Sequence, residues 1–480
     1  MSTPRGAGPG VRDCGVTDLG RALVRTAPDG GIGAGGVVAN DVVAEGVLDR
    51  GVVFVLPGGV DDPRRPSGGN RYDRRVCTGL RAFGWSVRET AVPGCWPHPD
   101  RAAREALAAA LRTGPVGRGD PAVVLVDGLL ASGAADLVAA AAAQRPVVVL
   151  VHMPFGPVEP TLADAERRML SQVAAVVTTS AWARGYLVDV YRLTGDRVHV
   201  ATPGVDRVPL DARAHDVVEV AGSGETDARV GRHDATQVVG SGETDVRPGR
   251  HDATQVGGLR EAGARVGRHD ATEMSGIPAA GGRLLCVGAV THLKGLDVLV
   301  GALTELMAAR PGCDWRCTCV GALDLEPAFV AHLRATVEVV GLAGRVVFTG
   351  PLGRDDLDAA YRAADLLVLP SRTESWGMVV AEALARGIPV VASDLGGVPE
   401  SLGHAPDGTR PGLLVPPGDP AALARALTRW LTDPALRKRL RAAAEGRRPG
   451  LPGWDHTTAL LSTVLSSVAP GLGVLGGVGG

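Results

Sequence analysis

Between residues 51 and 206 the chain alternates short apolar runs with longer amphipathic stretches. The first run, Gly51-Val-Val-Phe-Val-Leu-Pro57, is rich in Val and stops at a proline, the pattern of a strand buried on both faces. Further strands are expected at 85–90, 122–126, 146–151, 174–179 and 198–202, with helices between them, including 71–83, 100–112 and 134–143. A glycine-rich loop ending in Ser67-Gly68-Gly69-Asn70 joins the first strand to the first helix. A second alternation starts at Arg283-Leu-Leu-Cys-Val-Gly288. It predicts strands at 283–288, 315–320, 345–349, 365–370 and 389–392, and helices at 295–308, 327–340, 377–386, 420–431 and 434–446. Buried strands alternating with helices predict parallel sheets, so the fold class expected is α/β with two domains, 51–206 and 281–454.

The segments outside these domains lack such a pattern. Residues 1–50 hold 11 glycines and few large apolar side chains, and are expected to form a disordered extension. The G-x-G-x-x-G match at Gly31, Gly33 and Gly36 has no strand before it, which argues against a dinucleotide site. Residues 207–280 carry tandem repeats. The hexapeptide at 222–227 returns at 240–245, and Gly-Arg-His-Asp-Ala-Thr appears at 231–236, 249–254 and 267–272, always 18 residues apart. The two central units, 222–239 and 240–257, offer two or three valines and no Leu, Ile or Phe, so stacking would bury little. A low-complexity insertion is expected, not a solenoid or a His-Asp metal array. Deleting residues 222–274 should leave folding and basic activity intact. Residues 471–480, six of them glycine, are expected to be a frayed tail.

Charge and composition narrow the function. Fifty basic and 52 acidic residues give a net charge of −2, without the basic excess of a nucleic-acid binder. No apolar run reaches the roughly 18 residues of a membrane span. There is no basic start followed by an apolar leader, and seven cysteines are few for 480 residues, so a cytoplasmic protein is expected. Cys313, Cys317 and Cys319 have no His at ligand spacing and are read as core thiols, leaving no metal site. Lys294 and Lys438 are the only lysines among the 50 basic residues.

In open parallel sheets, ligands bind beyond the carboxyl ends of strands. In the first domain these ends carry the 58–70 loop, Asp127 and His152, which precedes Met153-Pro154. In the second, Lys294 stands at a helix start, where an anion is favoured. The densest group is Pro370-Ser-Arg-Thr-Glu374-Ser-Trp-Gly377-Met378-Val379-Val-Ala-Glu382. Helix N-terminal amides there could hold a diphosphate, with the carboxylates reaching sugar or ribose hydroxyls instead. The apolar neighbours of Glu382 argue against a solvated helix face.

These residues resemble the donor-site motif of the family 4 glycosyltransferases: Glu374, seven residues, then Glu382, inside PSxxExxGxxxxEAxAxGxPVVAS. Lys294-Gly295 is similar to that family's phosphate-binding lysine, Gly68-Gly69 to its glycine loop, residues 151–154 to its histidine segment, and residues 200–206 to the end of its first domain. The resemblance implies the GT-B architecture, two Rossmann-like domains facing across a cleft. The last helix, about 455–468, would cross back to the acceptor-side first domain. It also implies retaining hexosyl transfer from a nucleotide-diphosphate sugar to an acceptor that could be a lipid, a glycan or a small metabolite, with no cofactor and no obligatory metal. By position, Glu374 would contact the donor hexose, Glu382 the ribose and Lys294 the leaving diphosphate. The backbone of Gly377, Met378 and Val379 would support the donor, His152 would lie near the transferred sugar, and a donor phosphate oxygen would take the acceptor proton.

The family commonly has Arg where this chain has Ala289, and often another where it has Leu293. Positive charge at the diphosphate is thus reduced unless Arg372 or a first-domain Arg substitutes. Two other readings remain open on the same architecture: a nucleotide-sugar epimerase, or a non-catalytic sugar-nucleotide-binding protein. The cluster Arg437, Lys438, Arg439 and Arg441 reads as a solvated helix face, with weak peripheral contact to anionic lipid at the cytosolic face as its alternative.

Overall fold

A computed structural model describes residues 50–112, 123–208 and 281–469. The expected extension, repeat insertion and tail lie outside these residues, apart from Arg50, Arg207 and Val208. The first domain runs β1 (Arg50–Pro57), α1 (Gly68–Ala82), β2 (Trp85–Val92), α2 (Arg101–Leu111), β3 (Val123–Asp127), α3 (Gly128–Gly133), α4 (Ala135–Ala142), β4 (Val147–Val151), α5 (Pro160–Leu170), β5 (Ala175–Thr178), α6 (Ala181–Asp189) and β6 (Val198–Val200). The second runs β7 (Arg283–Val287), α7 (Leu296–Ala309), β8 (Arg316–Val320), α8 (Pro327–Val339), β9 (Val346–Gly350), α9 (Arg354–Ala363), β10 (Leu366–Leu369), α10 (Met378–Ala385), β11 (Val390–Ser393), α11 (Val398–Leu402), β12 (Gly412–Val415), α12 (Pro420–Thr432) and α13 (Pro434–Arg447). The last helix, α14 (Trp454–Val468), follows.

Each domain holds a six-stranded parallel sheet, ordered β2-β1-β3-β4-β5-β6 and β12-β11-β10-β7-β8-β9. The second order reverses direction between β7 and β10, the crevice where doubly wound sheets bind ligands. The central strands are buried along their length, which is why they read as unbroken Val and Leu runs rather than alternating ones. Valine, leucine and alanine fill the cores on both faces of each sheet. Cys286, Cys317 and Cys319 are among them, with the Cys317 and Cys319 sulfurs 4.0 Å apart.

Helix α14 packs on the first domain. Leu461, Val464 and Leu465 join the cluster of Phe54, Leu56, Tyr72 and Leu80, each burial contributing about 1.5–3 kcal/mol. The Trp85 indole donates to Ser462 Oγ at 2.9 Å, and Thr457 Oγ1 donates to the Thr202 carbonyl at 2.7 Å.

Three elements depart from the sequence reading. Helix α1 begins at Gly68, not Arg71: Ser67 Oγ accepts from Asn70 N at 3.0 Å, so the end of the expected glycine loop is a helix cap and first turn. The chain turns helical at Gly128, capped by Asp127, ahead of the helix expected from 134. Strand β12, only four residues beside prolines, lacks a long apolar run and went unanticipated. Among the described residues no helix is long and apolar enough to cross a membrane. The basic cluster on α13 is divided: Arg437 bonds the Trp430 and Leu431 carbonyls and Arg441 pairs with Asp365, which leaves Lys438 and Arg439 exposed.

Candidate active site

The loops after β7 and β10 meet at the crevice of the second sheet. Gly295, at φ +68°, starts α7 so close to the other loop that a Cβ would fall 2.1 Å from the Pro370 carbonyl oxygen. The preceding turn presents Lys294, whose Nζ lies 2.7 Å from Glu374 Oε2. Arg372 is not available to the cleft. It bonds both oxygens of Asp297, at 2.7 and 2.6 Å, and the His292 carbonyl at 2.9 Å. It therefore staples the Lys294 turn to the Glu374 loop. The far side of that loop rests on Gly396 and Gly397, where Gly397 N donates to the Glu374 carbonyl at 3.2 Å.

Helix α10 follows Gly377 with no side chain capping its first turn, so its leading N–H groups face the cleft unbonded by a cap. Glu382 is 8% exposed in this otherwise apolar helix. Its Oε2 accepts from Tyr361 OH at 2.9 Å, and its Oε1 from Arg71 of the first domain. Tyr361 lies on α9, and burial together with the Glu382 charge raises its phenol well above the ordinary range.

The first domain contributes α1. Side chains at Gly68 and Gly69 would press on Met378 Sδ (3.1 Å) and His152 Cδ2 (3.2 Å). Their absence lets the N-terminus of α1 approach that of α10 and the histidine. Two helix N-termini thus converge, and each favours an anion. Between the domains lies a cleft of about 430 Å³, lined by Ser67, Gly68, Arg71, Ala289, Met378 and Glu382 among others. Arg65 and Asp324 pair across it at 2.9 Å, and Glu400 accepts from Ala181 N at 2.9 Å.

His152 sits just after β4 against two carboxylates. Its Nε2 lies 2.9 Å from Asp73 Oδ1 and 3.2 Å from Asp127 Oδ2, and its ring meets Tyr72 edge-on at 5.2 Å. Burial alone would push the imidazole down; the Asp73 charge and the hydrogen bonds the ring donates to both carboxylates outweigh this and raise it to about 10. Burial pushes Asp73 up to about 7, opposed by His152 and reinforced by Asp127. The three donor atoms lie within 4.8 Å of one another, close enough for a divalent ion. As placed, the imidazole is hydrogen-bonded to the carboxylates as a salt-linked triad, and a divalent ion would have to displace its proton to bind there. The His152 carbonyl accepts from Thr179 and from Ser375, the residue after Glu374, which ties the histidine segment to the donor loop. Behind it, buried Glu166 accepts from Ser132, Tyr191 and Phe155 N, fixing the chain beyond Met153-Pro154.

Of the residues singled out in the sequence, Gly68, Met378, Val379 and Glu382 line the cleft; Gly69 lies against His152, Lys294 against Gly288 of the cleft wall, and Glu374 against Lys294 and Gly377. Sequence reasoning missed Arg71, Asp73 and Tyr361. The signal for Asp73 was present: it interrupts the apolar stripe Tyr72, Val76, Cys77, Leu80 of α1, where a lone carboxylate needs a partner.

Residues 52–208 match the model of Glycosyltransferase Family 4, and residues 281–433 that of Glycosyl transferases group 1. The D-inositol 3-phosphate glycosyltransferase of Jonesia denitrificans is 39% identical over 175 residues, 36% of this chain and 40% of that protein. The one from Frankia alni is 32% identical over 298 residues, 61% of this chain and 58% of that protein. The chain thus spans 40% and 58% of the length of these curated relatives. Among solved structures, Anabaena HepE in complex with UDP and glucose superposes with a TM-score of 0.59 at 16% identity, over 87% of this chain and 100% of that one. The sucrose-phosphate synthase of Thermosynechococcus elongatus gives 0.60 at 20% identity, over 87% and 98%. These likenesses establish the GT-B fold, two Rossmann-like domains facing across a cleft. The two family matches together cover well over half of the 480 residues, and the chain belongs to the family 4 glycosyltransferases.

Proposed function

We propose that this protein transfers a hexosyl group from a nucleotide-diphosphate sugar to an acceptor hydroxyl, with retention of anomeric configuration. One observation carries the reading: two helix N-termini and Glu382 line a single interdomain cleft, and the Lys294–Glu374 pair adjoins its Gly288 wall. The amides of α1 and α10 and the Lys294 ammonium receive the diphosphate, where charge grows as the glycosidic bond breaks. Glu374 accepts from hexose hydroxyls and Glu382 from the ribose. His152 donates to the transferred sugar as an imidazolium, held in place by Asp73 and Asp127. The C1–O bond to the diphosphate breaks, the acceptor oxygen bonds C1 on the same face, and its proton passes to a diphosphate oxygen. No metal is required, because the cations on the diphosphate are side chains.

The relatives are D-inositol 3-phosphate glycosyltransferases and one structural neighbour, HepE, is in complex with UDP and glucose, which makes a phosphorylated polyol and UDP-glucose the first pair to try. Lipid and glycan acceptors complete the panel. The test incubates UDP-, GDP- and ADP-hexoses with and without acceptors and scores nucleoside diphosphate release. Acceptor-dependent release, with the product anomer matching the donor by NMR, is expected. Absence of both transfer and hydrolysis across the panel would overturn the proposal.

A further inference from the structure

The cleft wall lacks a cation at Ala289, and Arg372 is committed to Asp297. Of the first-domain arginines close by, Arg64 pairs with Asp62, Arg65 with Asp324, and Arg74 with Asp61 and Glu89. None of those carboxylates is a proposed donor ligand. Arg71 differs. Its Nη1 donates to Glu382 Oε1 and its Nη2 to Asp206 Oδ2 at 2.9 Å. Glu382 holds its other oxygen on Tyr361 OH, so Oε1 is the atom a ribose hydroxyl would claim.

We propose that Arg71 is the diphosphate-binding cation that Ala289 does not provide, released by the donor itself. This rests on the donor reading above. As the ribose takes Glu382 Oε1, Arg71 loses that partner and keeps only Asp206. That carboxylate is already shared with Arg75 and with Arg354 of the second domain. Three guanidinium groups then face one carboxylate, an excess of positive charge beside a cleft that favours an anion. Arg71 lies in the second turn of α1, next to the Gly68-Gly69 amides, and lines the same cleft as Gly288 and Ala289. The switch would couple recognition of the ribose to grip on the diphosphate and would draw the first domain onto the donor.

The experiment is calorimetric titration of the full chain with UDP, GDP and ADP, repeated for Arg71→Met, Arg71→Lys and the double variant Arg71→Met/Ala289→Arg. Loss of a charge-assisted phosphate contact should weaken the preferred diphosphate by about tenfold or more in Arg71→Met. The matching nucleoside, followed by ligand-observed NMR, should bind as well as before or better, since Glu382 is freed. The double variant should recover most of the diphosphate affinity, an outcome a merely structural role for Arg71 would not give. Should Arg71→Met fail to fold, Arg71→Lys keeps the charge without the fork and should bind the diphosphate with intermediate affinity. Unchanged or tighter diphosphate binding in the folded variants would overturn the inference and spare the donor reading. A wild type that binds none of the three diphosphates would overturn both.

Discussion

The support beneath Glu374 can be tested at a residue that touches no substrate. Gly396 has φ +56°, and an alanine Cβ there would lie 1.7 Å from the Glu374 carbonyl oxygen, where real Cβ contacts stay beyond 3.0 Å. The Glu374 backbone would have to retreat by at least about 1.3 Å. The left-handed conformation costs a non-glycine residue about 1–2 kcal/mol. Loss of the hydrogen bond from Gly397 N to the Glu374 carbonyl adds about 0.5–1.5 kcal/mol. Gly396→Ala should therefore lower the melting temperature by roughly 3–14 °C, as for a domain of this size. The larger effect should be on activity. Glu374 is set against Lys294 at 2.7 Å, and displacement of a positioned group by 1 Å can cost about a hundredfold in rate. The assay pairs a thermal melt with steady-state sugar transfer at a temperature where the variant is folded. Gly344→Ala is the control, since no atom lies within 4 Å of its Cβ position. A Gly396→Ala protein with wild-type turnover would refute the claim that this glycine seats the donor loop.

Other consequences are as direct. Lys294→Ala and Glu382→Ala should each lower transfer at least tenfold by loss of a charged donor contact, measured as kcat/KM. Because His152 is raised to about 10 from 6.5, its charged form stabilises the fold fully below pH 6.5, and that stabilisation fades as pH rises towards 10. Asp73→Asn removes the charge that does most to raise the imidazole, so NMR should show His152 losing its proton at lower pH, with a melt that depends less on pH between 6.5 and 10. Exhaustive chelation should leave diphosphate binding by calorimetry unchanged, since the His152 triad closes through its own hydrogen bonds without an ion; loss of binding restored by a divalent ion would refute the salt-triad reading. Glu166→Gln should weaken the hold on Phe155 and lower kcat more than it raises KM, as steady-state kinetics would show.

Much of this architecture was legible because buried parallel strands leave unbroken apolar runs, and breakers such as Pro57 and Pro370 mark where those runs end. The donor half of the site was legible for the same reason: Lys294, Glu374 and Glu382 lie in continuous stretches right after strands. What escaped was the long-range pairing. Arg71 and Glu382 are 311 residues apart, and nothing local to either predicts the other. Asp73 announces a need for a partner by interrupting the apolar stripe of α1, but not that the partner is His152, and Tyr361 sits on a helix whose mixed polar sequence hid it.

The return of α14 to the first sheet has a consequence for how the chain is made. The first domain leaves the ribosome early, yet Phe54, Leu56, Tyr72 and Leu80 are covered by Leu461, Val464 and Leu465, among the last residues described. At about 5–20 residues per second, the stretch between Val208 and α14 takes roughly 10–50 s to synthesise. For that interval the nascent first domain presents an apolar groove to its surroundings, and co-translational folding halts one helix short of completion. The domain made first is the one finished last, so a chain truncated before Trp454 would be a client for chaperones and not a functional half-enzyme.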